Sequence, residues 1–161
     1  LGDKSQTTGC GWIHVNRESH YIRPGVTLKW PTLTGANLAG ANLSRAYLKL
    51  SARDTTNTNL AGANLSGAVL YGNFERTNLS GANLSNAKMF NTGLIDSNLR
   101  GADLRHAQLG GAVLINTDLR GANLFWAHLD AGTFRQGVKA DWNTHCPNGA
   151  RWGTAGNDCG F

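Results

Sequence analysis

The chain has 161 residues, a net charge of +5 and an isoelectric point near 9.5, a length that predicts one domain. No apolar stretch approaches the roughly 18 residues of a membrane-spanning helix, so no membrane insertion is expected. Basic side chains are scattered without a run of like charges, which favours a solvated surface over one made for nucleic acid, acidic lipid or acidic polysaccharide. Because residue 1 is Leu1 and not methionine, we expect a chain from which a leading segment was removed.

Residues 1–27 lack a regular repeat and contain aromatic and histidine side chains such as Trp12, His14 and Tyr21. A repeat stack needs caps, because its terminal unit otherwise exposes leucines and unpaired strand edges. We therefore predict that this segment is an N-terminal cap, in preference to a ligand-binding segment. Cys10 lies in it, and we expect a free or intermolecular thiol there.

From Phe74 to Phe134 a leucine or a substitute for leucine occurs at every fifth position. These central residues are Phe74, Leu79, Leu84, Met89, Leu94, Leu99, Leu104, Leu109, Leu114, Leu119, Leu124, Leu129 and Phe134. A period of five fits neither a helix nor a strand, so the chain must turn by a fixed angle after each short segment. Two positions before a central residue Ala is usual, and a large and a small inward side chain together fill a narrow tube. Gly two positions after it, as at Gly81 and Gly101, suits a turn that needs positive φ.

The chain closely resembles the pentapeptide-repeat family, whose motif A(D/N)Lxx is matched by TGANLAGANLSRAYL, TNLSGANLSNAKM and DLRGANLFWAHL. The resemblance covers about residues 28–137. It implies an all-β fold, a right-handed quadrilateral β-helix with four pentapeptides in each coil. We predict about five coils spaced by one strand separation, between an N-terminal cap, 1–27, and a C-terminal cap, 138–161.

Departures from the motif recur every twenty residues, which supports four sides independently of the resemblance. Thr or Ser replaces Ala at Thr77, Ser97 and Thr117 in this spacing. We label the sides by their central residues: side A holds Phe74, Leu94, Leu114 and Phe134; side B holds Leu79, Leu99 and Leu119; side C holds Leu84, Leu104 and Leu124; and side D holds Met89, Leu109 and Leu129.

Two irregularities interrupt the period. Twelve residues separate Leu48 from Leu60 where ten are expected, which predicts an outward bulge of two residues within 49–55. One residue is missing between Leu70 and Phe74, which predicts a tighter corner. With both corrected, Thr58 falls in the same column as Thr77.

The C-terminal segment contains Cys146 and Cys159 around turn-forming Pro, Asn and Gly residues, which favours a disulfide between them. A metal site that uses these cysteines with His145 is the alternative, although no metal-ligand spacing supports it. The pair resembles the CPxG…C tail of some exported pentapeptide-repeat proteins. Together these features imply an oxidising compartment, such as the periplasm, the thylakoid lumen or the cell exterior, without excluding the cytoplasm.

Sides B and C repeat Asn on their outer surface, whereas sides D and A carry aromatic and aliphatic residues. Contiguous apolar patches mark contacts, although single exposed aromatics are common. We hypothesise that this half binds a protein partner or a second copy of the chain. The candidate residues are Tyr47, Tyr71, Phe90, Ile95, Ile115, Trp126 and His128.

No catalytic motif is present, and no catalytic, cofactor or metal residue is assigned. Arg100, Arg105 and Arg120 form a candidate basic patch on sides B and C, for which Asp103 and Asp118 supply acidic partners. We therefore predict a noncatalytic scaffold or interaction module. The alternatives are a binder of an anionic polymer and, as the resemblance implies, a DNA mimic that binds DNA gyrase; the net charge of +5 disfavours the mimic.

Overall fold

The computed structural model describes residues 10–15, 18–29, 33–49, 57–154 and 159. Within them the strands are β1 (Gly11–Val15), β2 (Glu18–Ile22), β3 (Thr27–Lys29), β4 (Tyr47–Lys49) and β5 (Val69–Tyr71). Strands β1 and β2 form an antiparallel hairpin, and β3, β4 and β5 pair in parallel in that order. No helix long and apolar enough to cross a bilayer occurs among these residues.

Beyond the named strands, single parallel bridges stack each coil on the one before it. Asn78 pairs with Asn98 and Asn98 with Asp118, at the predicted interval of twenty residues. The chain is thus a right-handed quadrilateral β-helix, as predicted. Its bridges are one residue wide because each side changes direction after a few residues.

The core consists of the two inward positions of each side. Leu79, Leu84 and Leu94 are fully buried, as are Ala82 and Ala87. Ile22 of β2 is also buried against this core, and Ile13 of β1 packs partly on it. The β1–β2 hairpin therefore covers apolar surface at the N-terminal side of the repeat.

The turns have the predicted backbone. Two positions after a central residue φ is positive, at +64° for both Gly81 and Gly101. The same conformation is imposed on some residues that adopt it less readily, including His106 at 59° and Trp126 at 58°. The coil geometry therefore fixes the backbone at these corners whatever residue stands there.

Both predicted irregularities are confirmed by the register. Asn37 pairs with Asn59, 22 positions later, which accommodates two extra residues. Asn59 pairs with Asn78, 19 positions later, which accommodates the missing one. The inserted bulge itself lies largely outside the described residues.

A column of buried hydroxyl groups lies at the corner between sides A and B. Thr58 and Thr77 occupy this column as predicted, followed by Ser97 and Thr117, and all are essentially inaccessible. The hydroxyl of Thr58 donates to the carbonyl of Leu33 at 2.6 Å, and that of Thr117 donates to the carbonyl of Leu94 at 2.8 Å. Polar groups are tolerated in this core because their hydroxyls donate to main-chain carbonyls.

The expectation that Phe134 is a central core residue of side A is wrong. Phe134 pairs with Val113 in an outward-facing column and is 66% exposed. Thr133 takes the small inward position and is buried, and the central position falls on half-buried Arg135. The physical reason is one extra residue in the preceding corner, which shifts everything after it by one position.

That corner is built by Asp130 and Thr133, and Asp141 and Thr144 build a second one of the same kind. The Asp130 carboxylate accepts the N–H of Gly111 in the coil below at 2.9 Å and that of Gly132 at 3.0 Å. The first of these hydrogen bonds is the main cause that holds the pKa of Asp130 below its usual range. Asp141 accepts the N–H of Gly121 at 3.0 Å in the same way. The carboxylates thus satisfy the main-chain groups that each extra residue displaces.

The predicted disulfide between Cys146 and Cys159 is present, with their Cα atoms 4.8 Å apart. Parallel pairing continues as far as His145, which bridges to Asn123, so fully buried Cys146 follows Leu124 in the column of side C. Both thiols are therefore used in the bridge and are unavailable to the alternative metal site. Cys10, beside β1, is half-buried and takes no part in this bridge.

We predict that Thr117→Val lowers the free energy of unfolding by about 1 kcal/mol, the typical contribution of one hydrogen bond, because the carbonyl of Leu94 loses the Thr117 hydroxyl and keeps only the N–H of Ser97 as a donor. Thr27→Val, at an exposed strand position, is the matched control and should change stability little. Urea unfolding of both variants checks this. Equal stability of Thr117→Val and the unmodified chain would show that the hydroxyl column does not contribute.

Candidate interaction surface

A shallow depression of about 400 Å³ lies on side A, next to the corner where one residue is missing. Its lining consists of Tyr71, Gly72, Asn73, Asn91, Gly93, Ile95 and Val113. We call it the side A depression. It combines aliphatic and aromatic carbon with two amide side chains, a lining that suits an apolar group with a polar margin.

The depression exists because Gly93 stands where the motif usually has Asn or Asp. Gly93 bridges to Asn73 below it and to Val113 above it. A Cβ atom at Gly93 would lie 2.7 Å from Oδ1 of Asn73, so a side chain here would displace the Asn73 amide that now lies against Gly93. The backbone of Gly93 is outside the left-handed region, so the open surface, and not the turn geometry, depends on this glycine.

Aromatic side chains border the depression on side D and isoleucines on side A. Tyr71 is 49% exposed, and Phe90 follows it in the same column at 41%. Ile95 and Ile115 stack one coil apart and are half-buried, so they present less surface than the sequence suggested. Phe134, 66% exposed, extends this apolar border towards the C-terminal coil.

The structure does not bring all seven predicted residues together. Tyr47 and His128 belong to a column of side D that also contains Lys88 and Gln108 between them. This column separates the side A depression from Trp126, which lies at the corner of sides C and D. Tyr71, Phe90, Ile95 and Ile115 form one group, and Trp126 belongs to another.

The three arginines of the predicted basic patch lie against aspartates. Arg105 donates two hydrogen bonds to Asp103, at 2.8 and 2.7 Å, and Arg120 donates two to Asp118, at 2.9 and 2.5 Å. Arg100 approaches the same Asp118 carboxylate at 3.8 Å. Because the guanidinium groups of Arg105 and Arg120 each donate two hydrogen bonds to an aspartate, they have few donors left for an external anion.

These pairs change the protonation equilibria of their members. The Arg105 hydrogen bonds hold the pKa of Asp103 below its usual range, and those of Arg120 do the same for Asp118. Partial burial opposes both shifts, and the pKa values of the two arginines are raised in turn. Both carboxylates are therefore ionised throughout the neutral range.

Sequence reasoning missed Gly93, exposed Phe134 and the two corners that begin at Asp130 and Asp141. A glycine at the motif position that usually holds Asn or Asp was the available signal for Gly93. For the corners it was the repeated pattern Asp-x-x-Thr, in DAGT and DWNT. Neither pattern stands out until the columns are aligned.

Comparison with known proteins gives a consistent result. The family model of pentapeptide repeats matches eight copies, over residues 32–52, 56–94 and 97–136. Among solved structures, a pentapeptide repeat protein from the cyanobacterium Cyanothece 51142 is 33% identical, with 75% of this chain and 88% of that chain covered and a TM-score of 0.43.

Two other solved structures are more distant. QnrB1, a plasmid-mediated fluoroquinolone resistance protein, is 13% identical, with 77% and 72% of the two chains covered and a TM-score of 0.36. A pentapeptide repeat protein from the thylakoid lumen of Arabidopsis thaliana is 27% identical, with 70% and 65% covered and a TM-score of 0.23. Comparison with curated protein sequences gives no match.

The Asp118 pair should make stability depend on pH in the acid range. The pKa of Asp118 is lower in the folded chain than the value of about 3.9 for an Asp in an unfolded chain. The stability that ionised Asp118 contributes is therefore present above the unfolded-state pKa and is lost as pH falls through the folded-state pKa. We predict that Asp118→Asn reduces the loss of stability between about pH 5 and pH 2. Chemical unfolding at several pH values measures this.

Two arginine variants test the same prediction, and their expected effects differ in size. Arg120→Gln removes the closest partner of Asp118 and should reduce the acid dependence strongly, whereas Arg100→Gln, at 3.8 Å, should reduce it less. The reverse order would contradict the assignment of Arg120 as the main cause of the shift.

Proposed function

The chain belongs to the pentapeptide-repeat family, and from that premise we propose that it is a noncatalytic interaction module whose side A depression receives apolar side chains of a partner protein. A fold licenses no activity by itself, so the proposal rests on the surface. The observation that carries it is the depression opened by Gly93 between the aromatic column of side D and the isoleucine column of side A.

The contrast between the faces supports this assignment. On side B the outward amides bond to one another, as when Asn98 donates to Asn78 at 3.2 Å and Asn78 donates to Asn59 at 3.3 Å. Such a ladder satisfies its own polar groups. Side A instead leaves Ile95, half-buried, beside exposed Tyr71, and exposed aromatic side chains next to a concave surface are the usual anchors of protein interfaces.

The alternative functions receive less support. A mimic of duplex DNA needs an acidic rod, and this chain has a net charge of +5 with arginines on sides B and C. Binding of an anionic polymer through those arginines is disfavoured because Arg105 and Arg120 are held by aspartates. The low TM-scores of the structural comparisons add nothing to either function.

The proposed place of action is an oxidising compartment outside the cytoplasm. The disulfide between Cys146 and Cys159 supports it, since such bonds persist mainly where thiols are not kept reduced. Cys146 and Cys159 are both buried, at 0% and 7% exposure, which is typical of a structural bridge.

We predict that Gly93→Asn abolishes partner binding while it preserves the fold. Asn73 occupies the same column in the coil below, and the atom that the new side chain approaches is the movable end of Asn73. The measurement places a photo-reactive amino acid at position 95 of the chain in its native source, and the protein that it crosslinks is then identified. Unmodified chain or Gly93→Asn is added as a competitor, and the loss of crosslinked product is compared.

Gly101→Asn is the matched control for this experiment. It adds the same side chain at a corner with positive φ, where Asn is tolerated and no atom lies within 4 Å of the new Cβ. The control should compete as well as the unmodified chain, and Gly93→Asn should not. Equal competition by both variants would refute the side A depression as the binding site; crosslinks between copies would identify the partner as this chain.

The compartment is tested separately. We predict that Cys146 and Cys159 carry no blocking group when the chain is isolated from its native source with thiols blocked at lysis, and that both carry it when the chain is reduced before blocking. Cleavage after Arg151, which lies between the two cysteines, should release two peptides that the Cys146–Cys159 disulfide holds together. A fully reduced chain would contradict the proposed location.

A further inference from the structure

Three columns of surface residues run along side A and its corner with side D, and each takes one residue from the same successive coils. We name them the corner column, the Gly93 column and the Ile95 column. In chain order the corner column holds Tyr71, Phe90, Gly110 and Asp130; the Gly93 column holds Asn73, Gly93, Val113 and Phe134; and the Ile95 column holds Glu75, Ile95, Ile115 and Gln136. Together they form the rim and the surroundings of the side A depression.

The symmetry of a face-to-face contact restricts how two such surfaces can meet. When two rods lie antiparallel about a twofold axis perpendicular to them, each column faces the same column of the other copy, running in the opposite direction. The two halves of every column must then be complementary to each other. Side A has this property when the axis passes between the coil of Gly93 and the coil of Val113.

In this register the Gly93 column places a projection opposite a recess. Val113 of each copy faces Gly93 of the other, and so enters the side A depression where no side chain stands. Phe134, which is 66% exposed, faces Asn73 at the edge of the same depression. Both apolar side chains are thereby removed from water.

The other two columns bring apolar groups together. Ile95 of each copy faces Ile115 of the other, so the half-buried isoleucines cover one another. The ring of Phe90 leans over Gly110 of its own chain, since a Cβ atom there would lie 3.4 Å from Cδ1 of the ring. The two Phe90 rings therefore meet near the twofold axis, where an aromatic pair adds to the apolar contact.

The charged residues of this surface agree with the same register. Tyr71 faces Asp130, and Oδ2 of this carboxylate is placed to accept the phenol hydroxyl, because its main-chain hydrogen bonds use Oδ1. Arg135 occupies an inward position and donates to the carbonyl of Thr133. At the margins each charged or titratable residue faces a neutral one: Glu75 faces Gln136, Lys88 faces Gln108, Asp96 faces Asn116, Arg76 faces Gly137 and His128 faces Val69.

The neighbouring registers are less favourable. An axis moved half a coil towards the N-terminal end places Lys88 against Lys88 and Asp96 against Asp96 of the other copy, and like charges that face each other oppose association. An axis moved half a coil towards the C-terminal end places Val113 against Val113 and Ile95 against Gln136. In that register the projections meet and the isoleucine loses its apolar contact.

We propose that side A is the interface of an antiparallel homodimer in the register that pairs Ile95 with Ile115. The inference rests on the proposed function and identifies the partner as a second copy of this chain. Self-complementarity favours a copy over an unrelated protein, since twofold homodimers are the commonest oligomers of soluble proteins. The columns extend only about 15 Å along the rod. Such a patch is small for a protein interface, so the dimer is weak and concentration-dependent.

Charges exchanged across the facing isoleucines test both the dimer and its register. Ile95→Lys and Ile115→Glu are made in separate disulfide-intact chains. A homodimer of either variant holds a charge against isoleucine twice, so each should raise the dimer dissociation constant at least about tenfold. A one-to-one mixture pairs Lys with Glu at one contact and two isoleucines at the other, and should associate within about threefold of the unmodified chain. Sedimentation equilibrium from about 10 µM to about 1 mM measures this.

Ser66→Lys and Ser85→Glu are the matched controls. These serines are half-buried and lie one coil apart in a column of side C, as Ile95 and Ile115 do on side A. Alone or mixed, they should leave the dissociation constant within about twofold of that of the unmodified chain. Recovery of association in the mixture of Ile95→Lys and Ile115→Glu also shows that both variants are folded.

Three results would overturn the proposal. The first is an unmodified chain that remains monomeric up to about 1 mM. The second is association that neither isoleucine variant weakens, and the third is weakened association that the mixture does not restore, which excludes this register. None of them bears on the proposed function, which is tested by crosslinking from position 95 in the native source. Capture of a different protein there would keep the side A depression as a binding site and refute the homodimer.

Discussion

The bore of the β-helix admits one large and one small inward side chain per side of each coil, and the rest of the structure depends on this limit. Interiors tolerate neither voids nor overfilling, so each side buries a large residue with a small one, as with Leu84 and Ala82, and not two leucines. Where the small residue is Thr or Ser, its hydroxyl must find an acceptor, and the carbonyl of the coil below supplies it. The core thus fixes two positions of five and leaves three to the surface.

Because coils stack in register, a surface residue meets the residue one coil away more closely than its own sequence neighbours. Outward amides on side B therefore become a hydrogen-bonded ladder, as from Asn59 to Asn37 at 3.1 Å. By the same rule one glycine, Gly93, is enough to open a depression, because the side chains of the coils above and below line its walls. Surface chemistry on this fold is consequently organised in columns.

The inward pattern was predictable from sequence because packing alone determines it, and counting residues between leucines located the insertion near 49–55 and the deletion before Phe74. Phe134 was not predictable in this way. Its shift is decided by hydrogen bonds of Asp130 to main-chain groups, which leave no trace in apolar periodicity. The side A depression likewise required the register, because its lining comes from three successive coils.

The side A depression adjoins a departure from the regular coil. It lies at the corner shortened by one residue, where Asn59 pairs with Asn78 only 19 positions later. A regular corner is occupied most favourably by Gly or Asn, so folding alone would select those residues throughout. Residues that depart from this optimum, such as Trp126, are not explained by the packing of the tube. On a scaffold whose core is this repetitive, such departures are the features that distinguish one chain from another, and recognition of a particular partner must depend on them.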